Sequence, residues 1–293
     1  MTTEIAVISG KGGTGKTSVV AAFASLAKNI VLADCDVDAP DLHILLQPHV
    51  GHTDEFVGSK LAVIDPETCT GCALCEEKCR FDAAHPPEID PFACEGCAVC
   101  EFVCPVKAIR MVDRVSGQIY TSDTRYGPMV HARLNAGEGN SGKLVTEVRK
   151  RASQIAKTQD IPIVLIDGSP GVGCPVIATV TGVSLGIVVT EPTESGVHDM
   201  RRVVALLDQF RVKPAVIINK YDLNPENSQE IEKFCNREDI PVLGRIPFDP
   251  VMTQSMVAAR TLPEYAELHP ITKMLSDIWN KISGIVQESK KEG

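Results

Sequence analysis

Eight of the eleven cysteines fall in one stretch, as two copies of one spacing: Cys69-x2-Cys72-x2-Cys75-x3-Cys79 and Cys94-x2-Cys97-x2-Cys100-x3-Cys104. A C-x2-C-x2-C loop can wrap three thiolates round one cube of iron and sulfide, with a fourth ligand from elsewhere. Zinc sites built from four cysteines use paired C-x2-C units, and four closely spaced cysteines twice over exceed that need. A second chemistry stands near the N-terminus. Residues 10–17 read Gly-Lys-Gly-Gly-Thr-Gly-Lys-Thr and satisfy G-x-x-x-x-G-K-[ST]. Such a loop converges backbone N–H groups on phosphate oxygens, and the helix behind it adds its positive dipole end. Gly10, Lys11, Gly12, Gly13, Thr14, Gly15, Lys16, Thr17 and Ser18 would cradle a nucleotide, with Lys16 reaching its β- and γ-phosphates and Thr17 ligating Mg²⁺.

These residues need a frame. Near-continuous Val/Ile/Leu runs at 4–8, 30–34, 162–167, 185–190, 214–219 and 241–246 predict strands buried on both faces. Helical patterns are predicted at 16–28, 142–158, 195–210, 227–236 and 268–288, so the fold class is α/β, a mostly parallel sheet with helices on both faces. The cysteine-rich stretch breaks the alternation and carries Pro66, Pro86, Pro87, Pro91 and Pro105. It predicts a small insert over 60–113, dividing the surrounding domain into 1–59 and 114–293. The glycine-rich residues 114–141 predict a connection with a short hairpin near Gly117. Residues 125–143, with Arg125, His131, Arg133, Glu138 and Lys143, suggest a mobile contact surface for a partner, the lone histidine more often being structural than catalytic. Ile271, Leu275, Ile278, Ile282 and Ile285 stand at helical spacing and predict a stripe packed on the sheet, not a membrane anchor.

Composition excludes some functions. A net charge of −9 lacks the basic footprint of a duplex binder, and 4% aromatic residues cannot supply a stacking platform for single strands. The local run Arg149-Lys150-Arg151 reads as a solvated helix face. No apolar run reaches membrane-spanning length, and residues 4–10 read as a strand entering a loop, not a signal peptide. Together with cysteines grouped for metal chemistry in place of disulfides, this predicts a cytoplasmic protein.

The cysteine runs resemble those of bacterial ferredoxins with two [4Fe–4S] clusters, in which the last cysteine of each run serves the other cluster. The resemblance assigns Cys69, Cys72, Cys75 and Cys104 to one cluster, and Cys94, Cys97, Cys100 and Cys79 to the other. Arg80 follows Cys79 where ferredoxins usually carry proline, whereas Cys104 has its Pro105. The phosphate loop carries a second lysine, Lys11, and so resembles the deviant Walker A of the MinD/ParA/Mrp and nitrogenase iron-protein ATPases. That resemblance implies that Lys11 crosses a dimer interface to the partner's ATP. It makes Asp36 of Asp34-Cys35-Asp36 the residue that orients attacking water, with Asp34 near Mg²⁺. Asp167, ending the run Ile163 to Asp167, becomes the Walker B acid on Mg²⁺, and 168–173 the second switch. Asn219 would contact the base, with Pro247 and Phe248 beside it.

Asn219-Lys220-Tyr221-Asp222 also fits the guanine-reading N-K-x-D pattern, so GTP stands as an alternative to ATP, although Asp222 has a plain turn role before Asn224-Pro225. Cys174 matches a bridging-cluster ligand of the nitrogenase iron protein, but residues 137–143 offer no second cysteine, so no third cluster is expected. Cys174, Cys35 and Cys235 then read as small buried residues. The expectation is a nucleotide-dependent dimer, with itself or a homologous ATPase, coupling ATP hydrolysis to electron transfer to a redox protein. The alternatives are a positioning or scaffolding ATPase with redox-sensing clusters, and an iron–sulfur cluster carrier.

Overall fold

The structure is a computed structural model and describes residues 2–139 and 141–292. In chain order its strands are β1 (Thr3–Ser9), β2 (Ile30–Asp34), β3 (His49–Ile64), β4 (Ala84–His85), β5 (Glu88–Ile89), β6 (Ile109–Thr124), β7 (Gly127–Leu134), β8 (Ile163–Pro170), β9 (Leu185–Thr190), β10 (Lys213–Asn219) and β11 (Val242–Ile246). The α-helices are α1 (Lys16–Leu26), α2 (Leu42–Leu46), α3 (Leu74–Lys78), α4 (Val99–Val103), α5 (Ser141–Thr158), α6 (Cys174–Val180), α7 (Glu194–Gln209), α8 (Pro225–Arg237), α9 (Pro250–Val257), α10 (Leu262–Tyr265) and α11 (Pro270–Glu292). The chain divides into two compact units, one of Met1–Thr53, Ile119–Arg133 and Ser141–Gly293, the other of Asp54–Gln118 and Leu134–Asn140.

The larger unit is built on the strands that run β11-β10-β9-β1-β8-β2-β7 in the sheet. From β11 through β7 every pairing is parallel. β1, β2 and β9 are apolar on both faces because both are covered. On one face Ile5, Leu32, Leu165 and Ile187 pack in a core with Phe23 of α1 and with Leu275, Ile278 and Trp279 of α11. The stripe of α11 is thus spent on the sheet, as its spacing predicts. Among the described residues no helix is long and apolar enough to cross a membrane.

Three expectations need correction. Gly117 lies inside β6, and the chain reverses at Arg125-Tyr126 instead, where Thr124 Oγ1 donates to Gly127 O at 2.7 Å. The Arg125 guanidinium fixes that turn, bonding the carbonyls of Leu46 at 2.7 Å and Leu45 at 2.8 Å and pairing with Glu264. Residues 125–134 are therefore no mobile surface: Met129, Val130, His131 and Ala132 of β7 are buried. Arg149 is no solvated residue either, since it bonds Ala178 O and Thr181 O and pairs with Glu4, while Lys150 stays in solvent.

The smaller unit begins before residue 60 and ends after 113 because β3 and β6, sixteen residues each, run through both of those positions. Residues 134–139 belong to it as well. Asn135 N donates to Ser116 O at 2.9 Å, Asn135 Nδ2 to Val115 O at 3.1 Å, and Glu138 pairs with Arg114. Asn140 lies outside the described residues. The apolar core of this unit is slight: Ala62, Ile64, Cys75, Ala84 and Ile109, with further cysteines packed against them.

Candidate functional site

The phosphate loop joins β1, central in the sheet, to α1, at the carboxyl ends of the strands where open α/β sheets bind ligands. Gly15 adopts φ 86°, and a Cβ there would meet Asn219 Nδ2 at 2.4 Å, so only glycine serves. Two side chains hold the loop from behind. Asn219 Nδ2 donates to Thr14 O at 2.7 Å and Lys220 Nζ to Gly13 O at 3.0 Å. With these carbonyls engaged, the loop N–H groups are left for a ligand.

Lys16 is buried and forms an ion pair with Asp167, with Asp36 at 4.0 Å. Burial opposes its charge, but Asp167, Asp36 and Asp34 together raise its pKa above the ordinary lysine value. Asp34 and Asp167 are register partners on β2 and β8, and Oδ2 of each is buried without a hydrogen-bond partner. Burial pushes the Asp34 carboxyl well up, and the Asp167 charge adds to it. Asp36 is pushed up to about 6 by burial, against the pull of Lys16. The two orphaned carboxylate oxygens are hard donors of the kind that suit Mg²⁺, although Asp34 and Asp167, unlike Thr17, are not among the lining residues of the cavity above them.

A cavity of about 590 Å³ opens over this machinery. Its walls include Gly12 to Ser18, Asp36, Asn219, Lys220, Pro247 and Phe248. Asp38, Asp41, Met252, Thr253 and Met256 line it too, residues the sequence did not single out. Gly10, Lys11 and Asp222 are not among its lining residues. Gly10 packs against α7, where an added Cβ would meet Asp199 at 2.5 Å. Asp222 Oδ1 accepts from Phe248 N at 2.7 Å and so positions the neighbouring loop. Lys11 is turned onto the segment after β9: Nζ lies 2.7 Å from Glu191 Oε1, 2.9 Å from Thr193 Oγ1 and 3.0 Å from Ser195 Oγ.

In the smaller unit the two cysteine runs fold alike. Gly71 and Ala73 in one, Gly96 and Ala98 in the other, all have positive φ between 59° and 67°, and each loop then enters a five-residue helix, α3 or α4. Two cavities result. One, of about 10 Å³, is lined by Cys69, Cys72, Cys75 and Cys104, with apolar walls that include Leu74, Val106 and Ile109. The other, of about 20 Å³, is lined by Cys79, Cys94, Cys97 and Cys100, with Phe81, Ile89 and Met111. The last cysteine of each run thus sits with the first three of the other. Ala83 N donates to Cys79 Sγ and Ala108 N to Cys104 Sγ, both at 3.3 Å. Burial raises the Cys79 pKa, but the N–H bonds of Ala83, Phe81 and Ala84 carry it below the ordinary thiol value. Among the described residues no set of three His, Cys, Asp or Glu converges closely enough to chelate a single metal ion. Cys35 and Cys235 are buried as expected, whereas Cys174, at the start of α6, is exposed because it opens a helix at the surface.

Residues 5–258 match the family model of the CobQ/CobB/MinD/ParA nucleotide binding domain. An uncharacterised protein of Methanocaldococcus jannaschii, MJ0578, is 37% identical over 227 residues, which are 76% of this chain and 80% of that protein. An iron-sulfur cluster carrier protein of Pyrococcus furiosus is 24% identical over 99% of this chain and 88% of its own length. Among solved structures, the septum site-determining protein MinD of Pyrococcus horikoshii, complexed with Mg-ADP, superposes with a TM-score of 0.60 at 19% identity, covering 98% of this chain and 99% of that one.

Proposed function

The chain belongs to the CobQ/CobB/MinD/ParA nucleotide-binding family of P-loop ATPases, and from that membership we propose that it hydrolyses ATP and couples it to electron transfer through two [4Fe–4S] clusters to a redox partner. The observation that carries the reading is the pair of cysteine-walled cavities, each enclosed by four thiols drawn from both runs, in the same chain as a phosphate loop. Four thiols at the wall of an apolar cavity suit a cube of iron and sulfide, which takes one ligand at each iron.

ATP enters the cavity above the loop. Its phosphates draw the Lys16 ammonium from Asp167, and the loop N–H groups close on their oxygens. Thr17, Asp34 and Asp167 would hold Mg²⁺, which when bound neutralises charge on the β- and γ-phosphates. Asp36 accepts a hydrogen bond from the attacking water and orients it for in-line attack. Lys11 leaves its own chain and meets the triphosphate of a second copy, so ATP favours the dimer by differential contact. A [4Fe–4S] cluster supplies one-electron transfer when bound. Cys69, Cys72, Cys75 and Cys104 would hold one and Cys79, Cys94, Cys97 and Cys100 the other. The Ala83 and Ala108 N–H groups hold the Cys79 and Cys104 sulfurs.

Cluster carriage is the second reading, favoured by the likeness to three Pyrococcus proteins named iron-sulfur cluster carriers. One anaerobic experiment separates the two. Dithionite-reduced protein is mixed with ATP and an oxidised c-type cytochrome, and in parallel with an apo-ferredoxin. ATP-dependent cytochrome reduction with about eight iron atoms retained per chain supports electron transfer. Iron and sulfide passing to the apo-ferredoxin supports carriage. Cluster oxidation indifferent to ATP, with no transfer, rejects both and leaves a positioning ATPase. Lys11→Ala is expected to abolish ATP-driven dimerisation while nucleotide binding persists.

A further inference from the structure

The smaller unit contains its own internal control, because its two cysteine runs are built on one backbone plan. Asp65 opens one run and Asp90 the other. Asp65 Oδ1 accepts from Glu67 N at 3.1 Å, and Asp90 Oδ1 from Phe92 N at 2.8 Å. Asp65 O accepts from Cys69 N at 3.0 Å, and Asp90 O from Cys94 N at 3.1 Å. Further on, in α3 and α4, Glu77 N donates to Ala73 O at 3.0 Å and Phe102 N to Ala98 O at 3.1 Å. Glu67 and Phe92 are therefore equivalent positions, and so are Glu77 and Phe102.

The side chains at these positions differ in kind. The first run carries two carboxylates, Glu67 and Glu77, both exposed. The second carries two phenyl rings, Phe92 at 84% exposure and Phe102 at 91%. Neither ring serves the fold: the same backbone accepts glutamate at the same places, and neither ring belongs to the apolar core of the unit. Each stands two residues from a cysteine of the cavity lined by Cys79, Cys94, Cys97 and Cys100. Val99, 40% exposed, belongs both to that cavity's wall and to the surface. Apolar groups gathered on one run and left in water mark an interaction site.

Charge narrows the partner. From Phe92 to Cys104 the sequence has Glu95 and Glu101, both exposed, and no lysine or arginine. Arg114, which reaches the Pro91 carbonyl, is already paired with Glu138. Four thiolates on a bound cluster would make this run more negative still. Apolar anchors among carboxylates are complementary to an apolar depression ringed by lysine or arginine.

We propose that Phe92 and Phe102 anchor a protein partner on the second cysteine run, and that this partner is a one-electron carrier with a lysine-ringed apolar docking face. The identity of the partner as an electron carrier rests on the electron-transfer reading above; the surface does not. The first run, with Glu67 and Glu77 in the places of the rings, stays in solvent.

The test uses the full chain loaded with both clusters, oxidised and anaerobic, titrated in a calorimeter at low ionic strength with a lysine-ringed c-type cytochrome. The parent is expected to bind. Phe92→Ser combined with Phe102→Ser is expected to weaken binding about tenfold, the weight of an aromatic anchor, with iron content and cluster absorption unchanged. Glu95→Gln is expected to flatten the dependence of affinity on salt. Glu67→Ser combined with Glu77→Ser, the matched change on the other run, is expected to leave affinity within about twofold. No binding by the parent, binding indifferent to the phenyl substitutions, or an equal loss from the glutamate substitutions each overturns the proposal. If the double phenyl variant fails to fold or loses its iron, Phe102→Ser alone is expected to cost about threefold, and no loss overturns the proposal. Sedimentation of the parent alone accompanies the titration, and self-association that the phenyl substitutions abolish gives the face to a second copy and overturns it as well. Phenyl-dependent binding with no electron passing from dithionite-reduced protein to the ferric haem leaves the surface standing and rejects the electron-transfer reading.

Discussion

The two candidate sites are built on opposite plans. The nucleotide site stands on a sheet buried on both faces, with Ile5, Leu32, Leu165 and Ile187 packed against α1 and α11. Its charged groups are already matched to one another: Lys16 to Asp167, and both Lys220 and Lys11 to Glu191. The cysteine unit has five small or aliphatic residues at its centre, and its cysteines pack where a larger domain would place leucines. A core that slight buries little apolar area to offset chain entropy, and a metal or cluster is a usual staple of such small units. The first site is preformed; the second, on the proposed reading, would draw much of its stability from the clusters it holds.

The most severe break in that comparison is removal of the iron. Anaerobic chelation should unfold residues 54–118 while the ATP cavity survives. Amide exchange across that stretch is expected to rise to the rate of an open chain, and exchange in β1, β8 and β9 to stay slow. ATP binding, followed by calorimetry, should persist. Slow exchange in the iron-free cysteine unit would show that its polypeptide packing suffices, and the contrast would disappear.

The second break comes at Lys16. Replacing it with alanine removes the cation that pairs with Asp167 and acts on Asp36 and Asp34, leaving three carboxylates crowded in a buried pocket. The expected loss of nucleotide affinity is about 100-fold, the weight of one preorganised donor on charged oxygens. The nucleotide-free protein should also lose about 3 kcal/mol of stability, the cost of stranding buried charge. Iron content should not change, because no cysteine depends on this pair. A Lys16→Ala protein that melts like the parent would mean that the carboxylates take up protons at no cost.

How far these plans can be read from residue order differs as well. Strands such as 30–34 and 185–190 are legible because burial on both faces makes them apolar throughout, and they are observed as Ile30–Asp34 and Leu185–Thr190. β3 escapes notice because its first half is exposed and polar, His49 to Glu55, with no run to detect. The hairpin falls at Arg125-Tyr126, not at Gly117, because the turn is held by distant partners, Leu45, Leu46 and Glu264, in place of a local turn motif. The cysteine spacing carries its own geometry, since each loop is short and closes on itself. The state of Lys11 does not, because Glu191, Thr193 and Ser195 follow it by some 180 residues and meet it only through the parallel order of β1 and β9.

The smallest effect sharpens the claim that the nucleotide site is preformed under electrostatic load. Burial holds the Asp36 carboxyl up at about 6, above its unfolded value of 3.8. The native state therefore binds this proton more tightly than the unfolded chain does. Stability contributed by the group is greatest when it is protonated, falls as pH rises between about 4 and 6, and stays reduced above that window. Asparagine has nearly the same shape and no charge to desolvate. Asp36→Asn should accordingly stabilise the nucleotide-free protein by about 1 kcal/mol at pH 8, with the gain shrinking toward zero near pH 4, as read from chemical melts across that range. It should also slow ATP turnover, because asparagine orients water less well than a carboxylate does. A gain independent of pH would trace to packing, and a loss at pH 8 would mean that the attraction between Asp36 and Lys16 outweighs the cost of burying the charge.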